Sequence, residues 1–314
     1  MSANSKIEWT DATWNPIVGC TRVSEGCMNC YAERFAARFP DRFGGVSRMT
    51  EYGPRWTGKI VLRPEALNLP LRWRKQRRIF VNSMSDLFHP DVPFEFVEKV
   101  FFIMAAAEHH TFQVLTKRPE RMLEFMKRTE WREAIGLAAW PLPNVWLGVS
   151  VENQRAADER IPLLLQTPAA VRFLSCEPLL GPVMLTGLGK RCYGCAAGVP
   201  HRCRNVLVDW VIVGGESGPG ARPMHPDWVR SIRDQCQAAG VAFHFKQWGE
   251  WLPVKATPGT KNYHSCADGK MRTPRIGDKT HEWGDGVVSI RVGKKAAGRL
   301  LDGRTWDELP VIGG

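Results

Sequence analysis

Short apolar runs recur along this chain, each closing on polar residues and most followed by a stretch whose apolar positions repeat at helical spacing. Arg78-Ile79-Phe80-Val81 runs into NSMSDLFHPDVP, after which Phe94, Val97, Phe101 and Met104 mark a helix starting near Pro93, with Asp91 as its expected cap. Phe112-Gln113-Val114-Leu115 ends in Thr116-Lys117-Arg118 before a helix around PERMLEFMKR. Val145 to Val149 ends in Ser150-Val151-Glu152-Asn153 before ADERIPLLLQ, and Val171 to Leu174 ends in Ser175-Cys176-Glu177-Pro178. Val211-Ile212-Val213 ends in Gly214-Gly215-Glu216-Ser217, and the helix in PDWVRSIRDQCQAAG is stopped by Gly240. A last strand, Ala242 to Phe245, ends in Lys246-Gln247-Trp248.

Alternation of this kind predicts an α/β fold of parallel strands joined by crossover helices. The expected architecture is a partial TIM-type barrel, with a doubly wound open sheet as the alternative. In either, the carboxyl ends of the strands build the site. Those ends carry Ser83, Ser85, Asp86, Lys117, Arg118, Ser150, Glu152, Glu177, Glu216 and Lys246. A single polar residue there is usually a cap or turn former; charged groups after nearly every strand predict a polar mouth. The dense basic run LRWRKQRR precedes the strand at Arg78 and is expected at the opposite, amino-terminal face.

Two regions break the rhythm. An insert at 187–206 contains Cys192, Cys195, His201 and Cys203, the ligand count of a closed zinc site, with a second iron–sulfur cluster or no metal as alternatives. After Trp251 the chain turns rich in Gly, Pro and Lys, then offers one strand-like run, Gly286 to Val292, and the helical-looking KKAAGRLLDG. The expected division is a barrel over 1–251 that includes the insert, and an appendage over 252–314. Cys236 falls in a helical stretch and reads as core, Cys266 as no ligand, and Cys176 as a residue that can face the pocket.

Composition changes this picture little. Of 314 residues, 44% are hydrophobic and 24% charged, as in ordinary globular proteins. The amino-terminal MSANSKIEWTDATW holds no secretory apolar stretch, and no run approaches the about 18 apolar residues of a membrane span. A cytoplasmic address without membrane contact is expected, so the nine cysteines point to metal rather than disulfides. Net charge is +11, from 43 Lys and Arg against 32 Asp and Glu. That suits a polyanionic partner and equally suits solubility. Arg72, Arg74, Lys75, Arg77 and Arg78 around Trp73 could track phosphates or form a solvated helix end.

The sharpest chemical signal is GCTRVSEGCMNCYAERF, in which Cys20, Cys27 and Cys30 are spaced C-x6-C-x2-C ahead of a helical segment. Three thiolates can hold three irons of a four-iron cluster and leave the fourth open for chemistry. A structural zinc would need a fourth protein ligand, and the nearest histidine is His89. Unliganded cysteines are the remaining alternative.

Several further motifs accompany this run: TDATWNPIVGC, NSMSDLFHPDVP, VLTKRPER, LGVSVEN, SCEPLLGP, VGGESGPGARP, FKQWGEW and GKKAAGRLLDGRTWDELP. Together they resemble the phage-associated three-cysteine-motif family, a divergent, radical-S-adenosylmethionine-like branch. The resemblance spans almost the whole chain. It implies a partial (β/α)6 barrel in which Cys20, Cys27 and Cys30 hold a [4Fe–4S] cluster, with S-adenosyl-L-methionine on the open iron giving a 5′-deoxyadenosyl radical. It also implies an electron donor such as a flavodoxin or ferredoxin.

The chain departs from the superfamily in two ways. The usual cysteine spacing is C-x3-C-x2-C with an aromatic residue before the last cysteine; here Asn29 stands there and Tyr31 follows. The usual Gly-Gly-Glu follows the second strand, whereas here Gly214-Gly215-Glu216 follows the sixth. By strand order Ser83, Ser85 and Asp86 are placed for the cofactor amine, Lys117 or Arg118 for its carboxylate, and Ser150 nearby.

Three functions compete. The first is a radical enzyme acting on a nucleic acid or nucleotide, in repair or base modification. The second is a non-catalytic, metal-stabilised nucleic-acid-binding protein. The third is a hydrolase or transferase using Glu152, Glu177 or Glu216 as acid and base, with Cys176 a further candidate.

Overall fold

The computed structural model describes residues 5–134, 139–188, 207–260 and 262–311. Its centre is a seven-stranded parallel sheet curved into a half-barrel, with strands β1 (Ala12–Trp14), β2 (Arg78–Val81), β3 (Thr111–Thr116), β4 (Val145–Ser150), β5 (Val171–Cys176), β6 (Trp210–Gly214) and β7 (Ala242–Gln247) side by side in chain order. The expected half-barrel of parallel strands is therefore present. In β4 and β6 every residue is buried, as expected of strands covered on both faces.

Helices α1 (Tyr31–Arg38), α2 (Phe94–Ala106), α3 (Pro119–Lys127), α4 (Gln154–Gln166) and α5 (Pro226–Ala239) include the crossovers. Of the positions the spacing picks out, helix α2 buries Val97, Phe101 and Met104, with Val100 beside them, and leaves Phe94 half-buried at its start. Its cap is Pro93 rather than the expected Asp91: the chain enters the helix with Pro93 extended, leaving Asp91 two residues upstream. Pro119 opens α3, where its fixed φ suits the first turn and its missing N–H goes unneeded. Gly240 ends α5 with φ 67°, as predicted.

The chain forms two compact units, residues 1–150 with 159–173, and residues 151–158 with 174–314. In the first, a short hairpin of Ser47–Thr50 and Gly53–Trp56 packs on α1. In the second lies an antiparallel sheet of β8 (Trp251–Ala256), β9 (Tyr263–Ser265), β10 (Thr280–Glu282) and β11 (Val287–Arg291), in the order β9-β8-β11-β10. Only β11 was visible in the pattern. Strand β8 carries Pro253 and Lys255 and gains its ladder from β11, far along the chain. The KKAAGRLLDG segment forms only a short helix, Lys294–Ala297, ended by Gly298. Residues beyond it run beside β7, where Trp306 accepts from the Phe245 N–H at 2.9 Å. Among the described residues no helix is long and apolar enough to cross a membrane.

Candidate functional site

The cysteine loop leaves β1 directly. Gly19 turns it with φ +98°, and a Cβ there would stand 2.2 Å from the Lys59 carbonyl oxygen, so only glycine fits beside Cys20. A 3-10 turn, Glu25–Cys27, carries the second cysteine, and Cys30 caps the start of α1. Cys30 packs against a core of Val18, Ala32, Ala36, Phe43, Val46 and Met84. All three cysteines are partly exposed.

The ends of β2 and β3 hold this loop. Asp86, beyond β2, accepts from Thr116 Oγ1 at 2.7 Å, the Lys117 N–H at 3.1 Å and Arg118 Nη1 at 2.9 Å. Arg118 continues to the Cys20 loop, donating to the Thr21 carbonyl at 3.1 Å and Thr21 Oγ1 at 2.9 Å, with Nη1 3.7 Å from Cys20 Sγ. His89 Nδ1 accepts from the Asp91 N–H at 3.2 Å, so its Nε2–H faces Thr21 Oγ1 at 2.9 Å. Burial lowers the His89 pKa, consistent with that neutral tautomer. Ser85 donates to the Ile17 carbonyl at 2.9 Å, and Ser83 exchanges hydrogen bonds with Asn15. On the other side buried Glu33 of α1 takes Arg22 in an ion pair and accepts from the Trp56 N–H at 2.7 Å.

The loop's electrostatics follow from burial. Desolvation pushes the Cys20 thiol up to about 12, with the Asp86 charge adding and Arg118 opposing. Burial likewise raises Cys30, against backbone hydrogen bonds from Glu33 and Ala32. The three sulfurs do not gather within 4.8 Å of one another.

Asn82 escaped the sequence reading. It follows β2 directly with φ 60°, and its amide nitrogen and oxygen are both buried without a hydrogen-bond partner among the described residues. A left-handed, non-glycine residue with an unpaired buried amide is strained twice over, a pattern that concentrates at ligand sites. The only sequence signal was the Asn itself, the residue type best suited to φ > 0 after glycine.

Of the expected strand-end groups, Ser83, Ser85, Asp86 and Arg118 thus bear on the cysteine loop through their side chains, and Lys117 through its backbone. Ser150 is buried, its carbonyl accepting from Arg160 Nη1 at 2.8 Å. In the second unit Glu152 and Cys176 are buried. Glu177 lies over Gly214, where a Cβ would stand 2.7 Å from its Oε1. Lys246 Nζ is 3.2 Å from that oxygen, an ion pair without hydrogen-bond alignment, and Ser175 donates to Oε2 at 3.4 Å. Glu216 is held by Arg222 through Nη2 at 2.6 Å and Nε at 2.9 Å. The basic run sits at the amino end of β2, where Arg78 pairs with Asp11 and Arg77 covers the Trp73 ring. Cys192, Cys195, His201 and Cys203 lie outside the described residues.

His225, Asp227 and Asp285 form the one group among the described residues whose potential ligand atoms lie within 4.8 Å. Both ring nitrogens are already committed there. Nδ1 accepts from the Asp227 N–H at 3.2 Å, so Nε2 carries the proton it shares with Asp285 at 3.1 Å. A metal at Nε2 would need that proton removed while Nδ1 remains an acceptor, which a neutral imidazole cannot offer.

No curated protein and no solved structure matches the chain. The family described as Protein of unknown function (DUF5131) matches residues 4–310, and the chain, with its cysteine loop and half-barrel both inside that span, belongs to this family.

Proposed function

We propose that this protein is a radical S-adenosylmethionine enzyme in which Cys20, Cys27 and Cys30 hold three irons of a [4Fe–4S] cluster and leave the fourth for the cofactor. The observation that carries the reading is the Asp86–Arg118–Thr21 network, which ties the Cys20 end of the three-cysteine loop to the carboxyl ends of β2 and β3, where such folds build their sites. The donor set fits the group. Thiolates on one zinc stand about 3.8 Å apart, from bonds of about 2.3 Å at the tetrahedral angle. These sulfurs do not gather even within 4.8 Å, so they are not arranged as a preformed zinc site. Desolvation raises the Cys20 and Cys30 thiols, which makes those two poor free nucleophiles and disfavours them as unliganded catalytic cysteines.

When bound, the cluster would supply the electron that reductively cleaves the carbon–sulfur bond of S-adenosylmethionine to a 5′-deoxyadenosyl radical. The chain's own residues orient and shield. Arg118 keeps a fixed positive charge beside Cys20, balanced by Asp86. Asn82 offers a buried donor and acceptor to a polar ligand. A flavodoxin- or ferredoxin-like donor provides reducing electrons, and the substrate is a nucleic acid or nucleotide.

The test is anaerobic reconstitution with iron and sulfide, followed by an assay for 5′-deoxyadenosine with dithionite. Wild type is expected to load four irons at this site and to form 5′-deoxyadenosine. Any one of Cys20→Ala, Cys27→Ala or Cys30→Ala should remove most of the iron. A triple variant that still carries four irons per chain refutes the assignment, and a loaded cluster that never yields 5′-deoxyadenosine leaves only a structural role.

A further inference from the structure

Helix α1, which starts directly after Cys30, buries its small side chains and exposes its large ones. Ala32, Ala36 and Ala37 face inward with Glu33, whereas Tyr31, Phe35 and the C-capping Phe39 are 56%, 43% and 39% exposed. Aromatic side chains normally supply the buried face of an amphipathic helix. Here they form an outward row with a step of four residues, about 6 Å of helix rise.

The rings are braced. Phe35 meets Phe39 edge-on at 5.1 Å and the buried Phe43 at 5.6 Å, and the Tyr31 hydroxyl donates to the Ser83 carbonyl at 2.7 Å. Ordering them for a ligand therefore costs little side-chain entropy. Beside this row runs a second, of cations: Arg34 and Arg38 four residues apart, then Arg42 in the short helix that follows. Arg38 lies 5.5 Å from the Phe39 ring centre and Arg42 5.7 Å from that of Phe43. Among the described residues Arg22 takes the Glu33 carboxylate, and Arg34, Arg38 and Arg42 pair with none.

We propose that this face binds single-stranded nucleic acid, with bases stacking on Tyr31, Phe35 and Phe39 and phosphates meeting Arg34, Arg38 and Arg42. Two adjacent rows of one period, rings and cations, match the two edges of a single polynucleotide strand. A duplex has its bases already stacked and cannot use the rings. An acidic protein would use the cations but has no need of a repeated row of ring surfaces. The site takes any base, because every base has a π-face, and it leads along α1 to the cysteine loop. It thereby specifies a polymer substrate for the radical reading and rests on that reading only for the chemistry that follows binding.

Fluorescence anisotropy of a labelled oligo-dT and the matching RNA, with a duplex as control, tests this on metal-free and reconstituted protein alike. Phe35→Ala/Phe39→Ala should weaken single-strand binding at least about tenfold, given about 1–3 kcal/mol per stacked base. Arg34→Ala/Arg38→Ala should lower the slope of log K against log salt by about 1.4, or about 0.7 per lost phosphate contact. Should the ring variant fail to fold, Arg34→Glu/Arg38→Glu reads the same face from exposed or half-exposed positions and should abolish binding. The proposal is overturned if the soluble ring variant binds as wild type, if duplex binds as tightly as single strand, or if an acidic electron-transfer protein binds this face and oligonucleotides do not. Oligonucleotide binding without 5′-deoxyadenosine formation refutes the radical reading alone; the reverse result refutes this one alone.

Discussion

The strand ends of the first compact unit and those of the second carry the same kinds of residue but use them differently. In the first, Asp86, Thr116, Arg118 and Thr21 link segments separated by 30 to 97 residues, and the network terminates on the loop that carries the cysteines. In the second, Glu216 is clasped by Arg222 six residues on, shaping its own turn, and Glu177 makes a single ion pair with Lys246. A strand-end charge therefore does not mark a site by position alone. What distinguishes the first group is that its hydrogen bonds reach the cysteine loop, whereas the Glu216–Arg222 pair joins residues six apart.

The largest expected effect tests this contrast. Asp86 and Arg118 are both nearly buried, so Asp86→Ala leaves an uncompensated cation and should cost about 3–5 kcal/mol. It should also abolish iron loading, although Asp86 is not a ligand. Glu216→Ala should destabilise by a similar or smaller amount and leave iron loading intact. Thermal melts and iron content of both variants decide, and equal iron loss in the two would erase the distinction between the units.

Gly19→Ala should act next most strongly. It strains the backbone by about 1–3 kcal/mol and drives a methyl into the Lys59 carbonyl, displacing Cys20. Iron stoichiometry should fall with every ligand still present; a fully loaded variant would show that the loop can adapt.

Asn82→Gly separates stability from binding. Glycine relieves the left-handed φ and removes two unpaired polar atoms, so the melting temperature should hold or rise by an amount equivalent to about 1 kcal/mol or less. Affinity for S-adenosylmethionine, measured by equilibrium dialysis on reconstituted protein, should fall. Unchanged affinity would mean that the strain serves the fold alone.

The smallest effect concerns His244, buried in β7 with neither ring nitrogen hydrogen-bonded among the described residues. Burial lowers its pKa, so below about pH 6.5 the unfolded chain binds a proton that the folded chain refuses. Its contribution to stability is thus whole above that pH and declines as pH falls towards the folded value. Urea midpoints from pH 7 to 5 should drop less steeply for His244→Leu than for wild type; parallel curves would show that His244 titrates alike in both states.

Strand and helix periodicity made most of the half-barrel legible, because each crossover unit buries its own apolar face and so writes it in consecutive residues. The C-x6-C-x2-C spacing was equally local, since one loop supplies all three thiols. The antiparallel strands β8, β9 and β10 were not legible, because their ladders depend on partners elsewhere in the chain and not on an internal alternation. Nor could the sequence pair Asp86 with Arg118, or reveal that Asn82 is left-handed and that α1 turns its aromatic residues outward. Those facts depend on which segments share a neighbourhood. The chain determined its own elements and thiols, and tertiary structure alone decided which charges hold the cysteine loop, because a hydrogen bond across 98 residues leaves no period in the sequence.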